Sequence, residues 1–233
     1  MIEADWQDFS DRRTLEGAVA LFASTAIHHI QSKWGAVLAA LPGGATPRPI
    51  LDRLGLLIKD WTPVTIIPTD DRLAPAASPL SNFGMICGAL THRGATVLSL
   101  VANLDDYRKA GQEAQDRLAS LPWPLDLVWL GMGADGHTAS IFPGPDLETA
   151  LTTVQLITPV LPDPLPPEAP VARVSLSASA IRQAGHIFIV ITGAAKRAVL
   201  QEALADGAGS RFVIGKVLAG ARAKPQIFWS PDA

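Results

Sequence analysis

The sequence predicts an α/β protein with three layers, in which helices cover both faces of a mostly parallel sheet. Short apolar runs that suit buried strands alternate with segments whose apolar residues recur every three or four positions, as on one face of a helix. Several runs are apolar at nearly every position, which is typical of strands buried on both faces. Glycine or polar residues follow many of these runs, so we expect ligand-binding loops at the carboxyl edge of the sheet.

The first half of the chain contains regular strand and helix signals. A helix is predicted from Ser10 or Asp11, either of which suits an N-cap, to Trp34. The later predictions are, in order, a strand over 35–41, a helix through 50–57, a strand over 64–72, a helix from 81 that stops near 94, a strand over 96–101, an amphipathic helix over 105–121 and a strand over 125–129.

The second half is less regular. Five prolines between residues 161 and 170 exclude a regular ladder and predict an exposed connection that partly covers the site. The remaining predictions are a strand over 172–177, a short helix over 178–184, a strand over 186–193, a helix over 194–204, a helix over 213–219 and a strand over 226–229 that completes the sheet.

Composition limits the partners that the protein can have. The chain has 233 residues, 48% of them hydrophobic, so it can form one domain over residues 1–233. Its net charge is -3 without a basic cluster, and we expect no nucleic-acid partner. An acidic N-terminus unlike a signal peptide, and the lack of an apolar run near ~20 residues, predict a cytoplasmic location without a membrane partner. The single cysteine, Cys87, excludes an internal disulfide and a cysteine metal cluster.

A glycine loop between a strand and a helix predicts an anion site. Gly43 and Gly44 allow backbone amides to converge on one point, Thr46 can cap the helix and donate a hydroxyl, and the helix N-terminus favours negative charge. We interpret this loop as a cradle for phosphate or carboxylate. The alternative is a tight turn in which glycine serves only the backbone conformation.

Charged residues stand at two other strand ends. Asp70, Asp71 and Arg72 close the strand over 64–72, where an arginine can grip phosphate and a carboxylate can accept hydrogen bonds from sugar hydroxyls. A solvated surface ion pair is the equally weighted alternative. Lys196 lies in the first turn of a helix, where a lysine opposes the helix dipole unless an anion occupies the site.

The stretch over residues 131–140 carries the best candidates for chemistry. It places Asp135 and His137, a carboxylate and an imidazole, at the end of an apolar strand. It also matches the Gly-x-Gly-x-x-Gly dinucleotide pattern, but Pro143 and Gly144 interrupt the helix that this pattern requires. We therefore expect neither a nicotinamide nor a flavin cofactor.

Five stretches carry a family resemblance that extends over nearly the whole chain. They are Gly43-Gly44-Ala45-Thr46-Pro47, Asp70-Asp71-Arg72 with Ser81-Asn82, residues 131–144, Arg173-Val174-Ser175-Leu176-Ser177 and Thr192-Gly193-Ala194-Ala195-Lys196. The chain thereby resembles the 6-phosphogluconolactonases, whose fold is shared with glucosamine-6-phosphate deaminases and ribose-5-phosphate isomerases.

The resemblance implies hydrolysis of 6-phospho-D-glucono-1,5-lactone to 6-phosphogluconate in the oxidative pentose phosphate pathway. It implies no metal or organic cofactor and a phosphorylated sugar lactone as the small-molecule partner, and we expect a monomer or small homo-oligomer. His137 would be the general base, while Asp135 would orient either the imidazole or the sugar. Backbone amides near Gly44 or Gly136 are candidates for stabilising the oxyanion. The substrate contacts expected are Gly43, Gly44, Ala45, Thr46, Asp70, Arg72, Asn82, Gly136, Arg173 and Lys196.

Three positions depart from the family pattern, which usually has Ser at Ala45 and Glu at Asp71 and at Ala134. Two alternatives stay open: a glucosamine-6-phosphate deaminase or isomerase, and a non-catalytic sensor of sugar phosphates. The deaminases carry an acidic residue shortly after Asp-Gly-His, and residues 138–145 contain none. A sensor would not need His137.

Overall fold

A computed structural model, which describes residues 1–231, contains a large parallel sheet and a small antiparallel one. The large sheet has seven strands in the order β1-β10-β9-β6-β2-β3-β5, and the small sheet has the order β4-β8-β7. The strands are Asp5–Asp8 (β1), Val37–Leu41 (β2), Val64–Pro68 (β3), Asp70–Arg72 (β4), Thr96–Val97 (β5), Leu127–Leu130 (β6), Ile157–Val160 (β7), Arg173–Leu176 (β8), His186–Thr192 (β9) and Gln226–Ser230 (β10).

Helices cover both faces of the large sheet. The helices are Arg12–Trp34 (α1), Pro47–Leu57 (α2), Asn82–Leu90 (α3), Tyr107–Leu118 (α4), Leu147–Thr152 (α5), Ala178–Arg182 (α6), Ala194–Asp206 (α7) and Val213–Leu218 (α8). Residues of α1, α2 and α3 form the core on one face, and residues of α4 to α8 form the core on the other. The prediction of a three-layer, mostly parallel α/β fold is therefore confirmed. No helix within residues 1–231 is long and apolar enough to cross a membrane.

The apolar runs of the sequence serve both cores at once. In β2, Val37, Ala39 and Leu41 belong to the core beneath α1, whereas Leu38 and Ala40 belong to the opposite core. Successive side chains of a strand point to opposite faces, so a strand with helices on both sides needs apolar residues at every position.

Several helix ends lie where the sequence predicts them. The amide of Thr14 donates to Asp11 Oδ1 at 2.8 Å, which identifies Asp11 as the N-cap of α1. Gly35 ends the same helix with φ +80°, a conformation that glycine adopts without strain. Ser81 caps α3 by accepting from the amide of Gly84 at 3.0 Å.

Other elements differ from the predictions. The predicted strand over 64–72 is two strands, because β3 stays in the large sheet while β4 pairs with β8 in the small one. The final strand β10 lies inside the sheet, since β1 forms the edge beside it. β1, α5 and β7 were not predicted, and β5 is shorter than the predicted strand over 96–101.

The topology places the site. From β2 the chain continues to β3 on one side, whereas β6, β9 and β10 extend the sheet on the other side. Loops that leave neighbouring strands in opposite directions open a crevice at the carboxyl ends of those strands. The small sheet lies next to this crevice, because β4 follows β3 after a single residue, Thr69.

Candidate active site

A cavity of about 200 Å³ lies at the carboxyl ends of the central strands. It collects residues from the loops after β2, β3, β6 and β9. All of the predicted site residues line it except Asp135 and Gly136, and the list is Gly43, Gly44, Ala45, Thr46, Asp70, Arg72, Asn82, His137, Arg173 and Lys196. Stretches that are far apart in the sequence therefore meet at one place.

Asp135 holds the imidazole of His137. The two side chains are 2.6 Å apart between Oδ1 and Nδ1, and the amide of His137 donates to the same Oδ1 at 3.2 Å. The hydrogen bond with His137 lowers the pKa of Asp135, so the carboxylate is ionised at neutral pH. His137 lines the cavity and Asp135 does not, a geometry that favours the role of orienting the imidazole over a direct contact with the sugar.

Packing on Phe142 and Gly133 restricts the orientation of the His137 ring. Its imidazole stacks on Phe142 with ring centroids 3.9 Å apart and an interplanar angle of 26°. A Cβ at Gly133 would overlap both the imidazole and the Asp135 carboxylate, so this position requires glycine. Nδ1 is occupied by Asp135, and Nε2 has no hydrogen-bond partner among residues 1–231. The second nitrogen is therefore available to a ligand.

The glycine loop approaches other backbone and side-chain atoms closely. A Cβ at Gly43 would overlap the side chain of Asn82, and Gly44 has φ +106°. The amides of Gly44 and Ala45 donate to no loop or side-chain oxygen of residues 1–231. Unpaired amides ahead of a helix N-terminus are typical of an anion site.

Thr46 does not cap α2 as predicted. It occupies the N-cap position, but its backbone is helical, with φ -71° and ψ -45°, and its hydroxyl makes no capping hydrogen bond. An N-cap side chain reaches the helix amides from an extended backbone, which Thr46 lacks. Its side chain therefore lines the cavity without a role in capping the helix.

Asn82 connects the charged strand end to the loop. Its Nδ2 donates to the carbonyl oxygen of Asp70 at 2.8 Å, and its Oδ1 accepts from Arg72 Nη1 at 2.9 Å. Arg72 Nη1 also donates to the carbonyl of Leu80 at 2.9 Å. Arg72 forms no ion pair with the Asp70 carboxylate, so the surface ion pair considered as an alternative is wrong.

Asp71 holds Arg72 and Asn82 through hydrogen bonds to their backbone amides. The buried carboxylate accepts hydrogen bonds from the amides of Arg72, Asn82 and Phe83 at 2.9, 2.8 and 3.1 Å. Burial nevertheless raises the pKa of Asp71 to about 6. Asp71 therefore joins β4 to the first turn of α3 and does not line the cavity.

Arg173 is a buried cation with unused donor capacity. Its Nη2 donates to the carbonyl of Ala169 at 3.1 Å, and its Nη1 lies 3.5 Å from Ser140 Oγ, which donates to Asp70 at 2.5 Å. Burial lowers the pKa of Arg173. The Nε atoms of Arg173 and Arg72 are buried without an acceptor in residues 1–231. Two guanidinium groups in the wall of one cavity favour an anionic ligand.

Lys196 supplies the third cation. It is the third residue of α7 and is half-buried in the cavity wall. Burial lowers the pKa of Lys196, and the Asp135 carboxylate opposes that shift. Its ammonium forms no ion pair within residues 1–231. Among residues 1–231, three cations and one carboxylate, Asp70, thus line the cavity.

Gly136, which was predicted to contact the substrate, does not line the cavity. Its amide donates to the carbonyl of Gly133 at 3.1 Å, and a Cβ there would overlap Phe212. With its amide already bonded and its Cα packed against a ring, Gly136 shapes the turn and does not reach the cavity. The Gly136 amide is therefore not free to stabilise an oxyanion.

The sequence did not assign roles to Phe142 and Ser140, and it placed Asp71 among the possible sugar contacts. Phe142 stacks on His137, Ser140 bonds to Asp70, and the buried Asp71 anchors α3. Phe142 and Ser140 lie within the motif that carried the resemblance, but only their distances in three dimensions assign them a role. Among residues 1–231 no group of three or more His, Cys, Asp or Glu side chains is arranged to hold a metal ion.

Comparisons with known proteins give consistent matches. The family model "Glucosamine-6-phosphate isomerases/6-phosphogluconolactonase" matches residues 10–224. A 6-phosphogluconolactonase of Mesorhizobium japonicum is 33% identical over 97% of this chain and 95% of its own. The crystal structure of a 6-phosphogluconolactonase from Shewanella baltica is 31% identical, with a TM-score of 0.89 over 98% of both chains. A monomeric glucosamine-6-phosphate deaminase, 15% identical with a TM-score of 0.78 over 97% of both chains, shares the fold.

Proposed function

The chain belongs to the family of glucosamine-6-phosphate isomerases and 6-phosphogluconolactonases, and on that premise we propose that it hydrolyses 6-phospho-D-glucono-1,5-lactone to 6-phospho-D-gluconate. The relatives named 6-phosphogluconolactonase match along nearly the whole chain. The observation that carries the chemistry is the Asp135–His137 pair, which leaves Nε2 of an oriented imidazole free beside the cavity.

The pair supplies a general base for ester hydrolysis. Asp135 accepts a hydrogen bond from the N–H at Nδ1, so the lone pair of the neutral ring lies on Nε2. Nε2 takes a proton from a water molecule, whose oxygen attacks the lactone carbonyl carbon. The tetrahedral intermediate then breaks the bond to the ring oxygen, which leaves with the proton returned by Nε2. The water adds across the ester bond, and the imidazole is regenerated.

The charges of the cavity support binding of the phosphate. Its wall contains three cations, Lys196, Arg173 and Arg72. Gly44 and Ala45, whose amides donate to no loop or side-chain oxygen of residues 1–231, line the same cavity. Phosphate suits this combination because guanidinium, ammonium and amide donors all bind anionic oxygens. We assign the 6-phosphate to the glycine loop with Lys196 and Arg173, and the lactone carbonyl to the side of His137.

The alternatives predict different activities. A glucosamine-6-phosphate deaminase would release ammonia from glucosamine 6-phosphate, and a sensor would bind 6-phosphogluconate without hydrolysing the lactone. The lack of an acidic residue in 138–145 favours the lactonase over the deaminase. The proposal also includes a cytoplasmic location and no nucleic-acid partner. It further includes a monomer or small homo-oligomer, and sedimentation of the purified protein measures that oligomeric state.

The first prediction concerns His137. We expect the wild-type protein to accelerate lactone hydrolysis in a chelator-containing buffer without added metal. We expect His137→Ala to lower kcat by about 10²- to 10⁴-fold, because it removes the general base. The assay couples 6-phosphogluconate formation to a dehydrogenase and subtracts spontaneous hydrolysis, and circular dichroism verifies the fold of each protein.

A matched control is His28→Ala, which removes an exposed histidine of α1. It should keep the wild-type rate. A wild-type rate equal to that of buffer overturns the lactonase, and ammonia release from glucosamine 6-phosphate would identify the deaminase instead. Full activity in His137→Ala would leave the lactonase standing but refute His137 as its base.

A further inference from the structure

We infer that Arg12, the first residue of α1, positions the glycine loop over residues 43–46 for the phosphate of the substrate. The inference rests on the proposed function, because it assigns this loop to the phosphate. Arg12 Nη2 donates to the carbonyl oxygen of Ala45 at 3.3 Å, across 33 positions of the sequence. Arg12 does not line the cavity, so it contacts the loop without contacting the ligand.

The contact between Arg12 and the Ala45 carbonyl also orients the N–H group of Thr46, because both groups belong to one peptide. The bond between Ala45 and Thr46 is trans, as are all peptide bonds within residues 1–231 except Trp123-Pro124 and Asp163-Pro164. In a trans peptide the C=O and N–H groups point in opposite directions. With its carbonyl held by Arg12, the peptide turns the N–H of Thr46 away from α1, towards the cavity that Thr46 lines.

Arg12 is itself held in place. Its Nε donates to Glu16 Oε1 at 3.1 Å, and the other oxygen of Glu16 accepts from Arg53 Nη2 at 3.3 Å. Glu16 is only 8% exposed, and burial between two guanidinium groups gives its carboxylate a defined position. Arg53 belongs to α2, the helix into which the glycine loop leads. The start of α1, the loop and α2 are therefore joined through one buried acid.

Among residues 1–231, no hydrogen bond from the Gly44 or Ala45 amide to a loop or side-chain oxygen restrains this loop. Gly43 and Gly44 allow many backbone conformations, and the Thr46 hydroxyl makes no capping hydrogen bond. A flexible loop loses conformational entropy when it binds a ligand, and this loss weakens the affinity. By holding the Ala45 carbonyl, Arg12 removes part of that cost before the phosphate arrives. The effect belongs to binding and not to the chemical step at His137.

The test compares binding with turnover. For Arg12→Ala we expect the KM for the lactone, and the Kd for 6-phospho-D-gluconate measured by titration calorimetry, to rise about fivefold, while kcat stays within about twofold. Arg12→Lys keeps a cationic donor and should recover part of the affinity. Arg13→Ala removes the adjacent exposed charge and should change neither constant.

Arg53→Ala separates positioning of the loop from general stability. It breaks the bond between Glu16 and α2 and should lower Tm, but it leaves the contacts of Arg12 with Glu16 and Ala45 and so should raise KM by less than Arg12→Ala does. Wild-type affinity in Arg12→Ala overturns the inference, as does an equal rise of KM in Arg53→Ala. If Arg12→Ala does not fold, wild-type Kd and KM in Arg12→Gln refute the inference. A wild-type protein that neither binds 6-phospho-D-gluconate nor hydrolyses the lactone refutes the proposed function, and the inference with it.

Discussion

A carboxylate bonded to one nitrogen of an imidazole fixes which nitrogen carries the proton, and Asp135 does this for His137. It also stabilises the imidazolium that forms when Nε2 takes a proton from water. In Asp135→Asn the amide oxygen still accepts from Nδ1, but the negative charge is lost. We expect kcat to fall by roughly 10²- to 10⁴-fold while KM stays within about twofold, because Asp135 does not line the cavity.

Steady-state kinetics of this variant decide between the two roles that the sequence left open for Asp135. A rise in KM with an unchanged kcat would assign Asp135 to the sugar and contradict the orienting role. Asp105→Asn changes an exposed carboxylate ahead of α4 and serves as the matched control. Both variants should keep the wild-type circular dichroism spectrum.

At the scale of elements, Asp71 joins β4 to α3, and its titration predicts a pH dependence of stability. Because its pKa is raised from 3.8 to about 6, the folded protein binds more protons than the unfolded chain between about pH 4 and pH 6. The stability that this shift contributes is present below pH 4 and is lost as the pH rises through 6, by roughly 3 kcal/mol. The asparagine of Asp71→Asn cannot ionise, so the variant does not lose this stability. The free energy of unfolding of the variant minus that of the wild type should therefore increase by about this amount from pH 4 to pH 7.

Urea unfolding at several pH values measures this difference. Asp11→Asn is the control, because hydrogen bonds from Thr14 and Ser10 lower the pKa of Asp11 below 3.8 and place its titration outside the window. Its difference from the wild type should stay nearly constant from pH 4 to pH 7. A constant difference for Asp71→Asn as well would contradict a raised pKa for Asp71.

The sequence predicted the elements that carry long apolar runs and missed those that depend on partners distant in the chain. β9 and α1 follow from local patterns alone. β1 has the sequence Asp-Trp-Gln-Asp and becomes a strand only because β10 lies beside it, and β4 leaves the large sheet because β8 accepts it. The local propensity of these residues carries no information about either partner strand.

The same limit applies to the candidate site. The position of a residue at a strand end is a local property, so Asp70, His137 and Lys196 were predictable. The stacking of Phe142 on His137 and the contact between Arg12 and Ala45 depend on distances between elements. A resemblance between motifs names the residues of a site, but it does not supply those distances.

At the scale of the whole molecule, both sheets contribute to one cavity. Gly43 lies in the loop after β2 and Lys196 in the first turn of α7, which follows β9, so both follow strands of the large sheet. Asp70, Arg72 and Arg173 belong to strands of the small sheet. A ligand whose phosphate contacts both the glycine loop and Arg173 therefore connects the two sheets. Binding to the folded state alone stabilises it, by about 2.7 kcal/mol at a ligand concentration of 100 times Kd.

We expect 6-phospho-D-gluconate at that concentration to raise Tm by about 5 to 10 °C for a chain of this size. D-Gluconate at the same concentration lacks the phosphate and should leave Tm unchanged, and Lys196→Ala should remove most of the shift. Differential scanning fluorimetry measures all three. An equal shift with D-gluconate would show that the carboxylate and hydroxyls, and not the phosphate, provide the binding energy. No shift with either ligand would contradict the assignment of the cavity, because a phosphate held by both sheets stabilises the folded state whenever it binds.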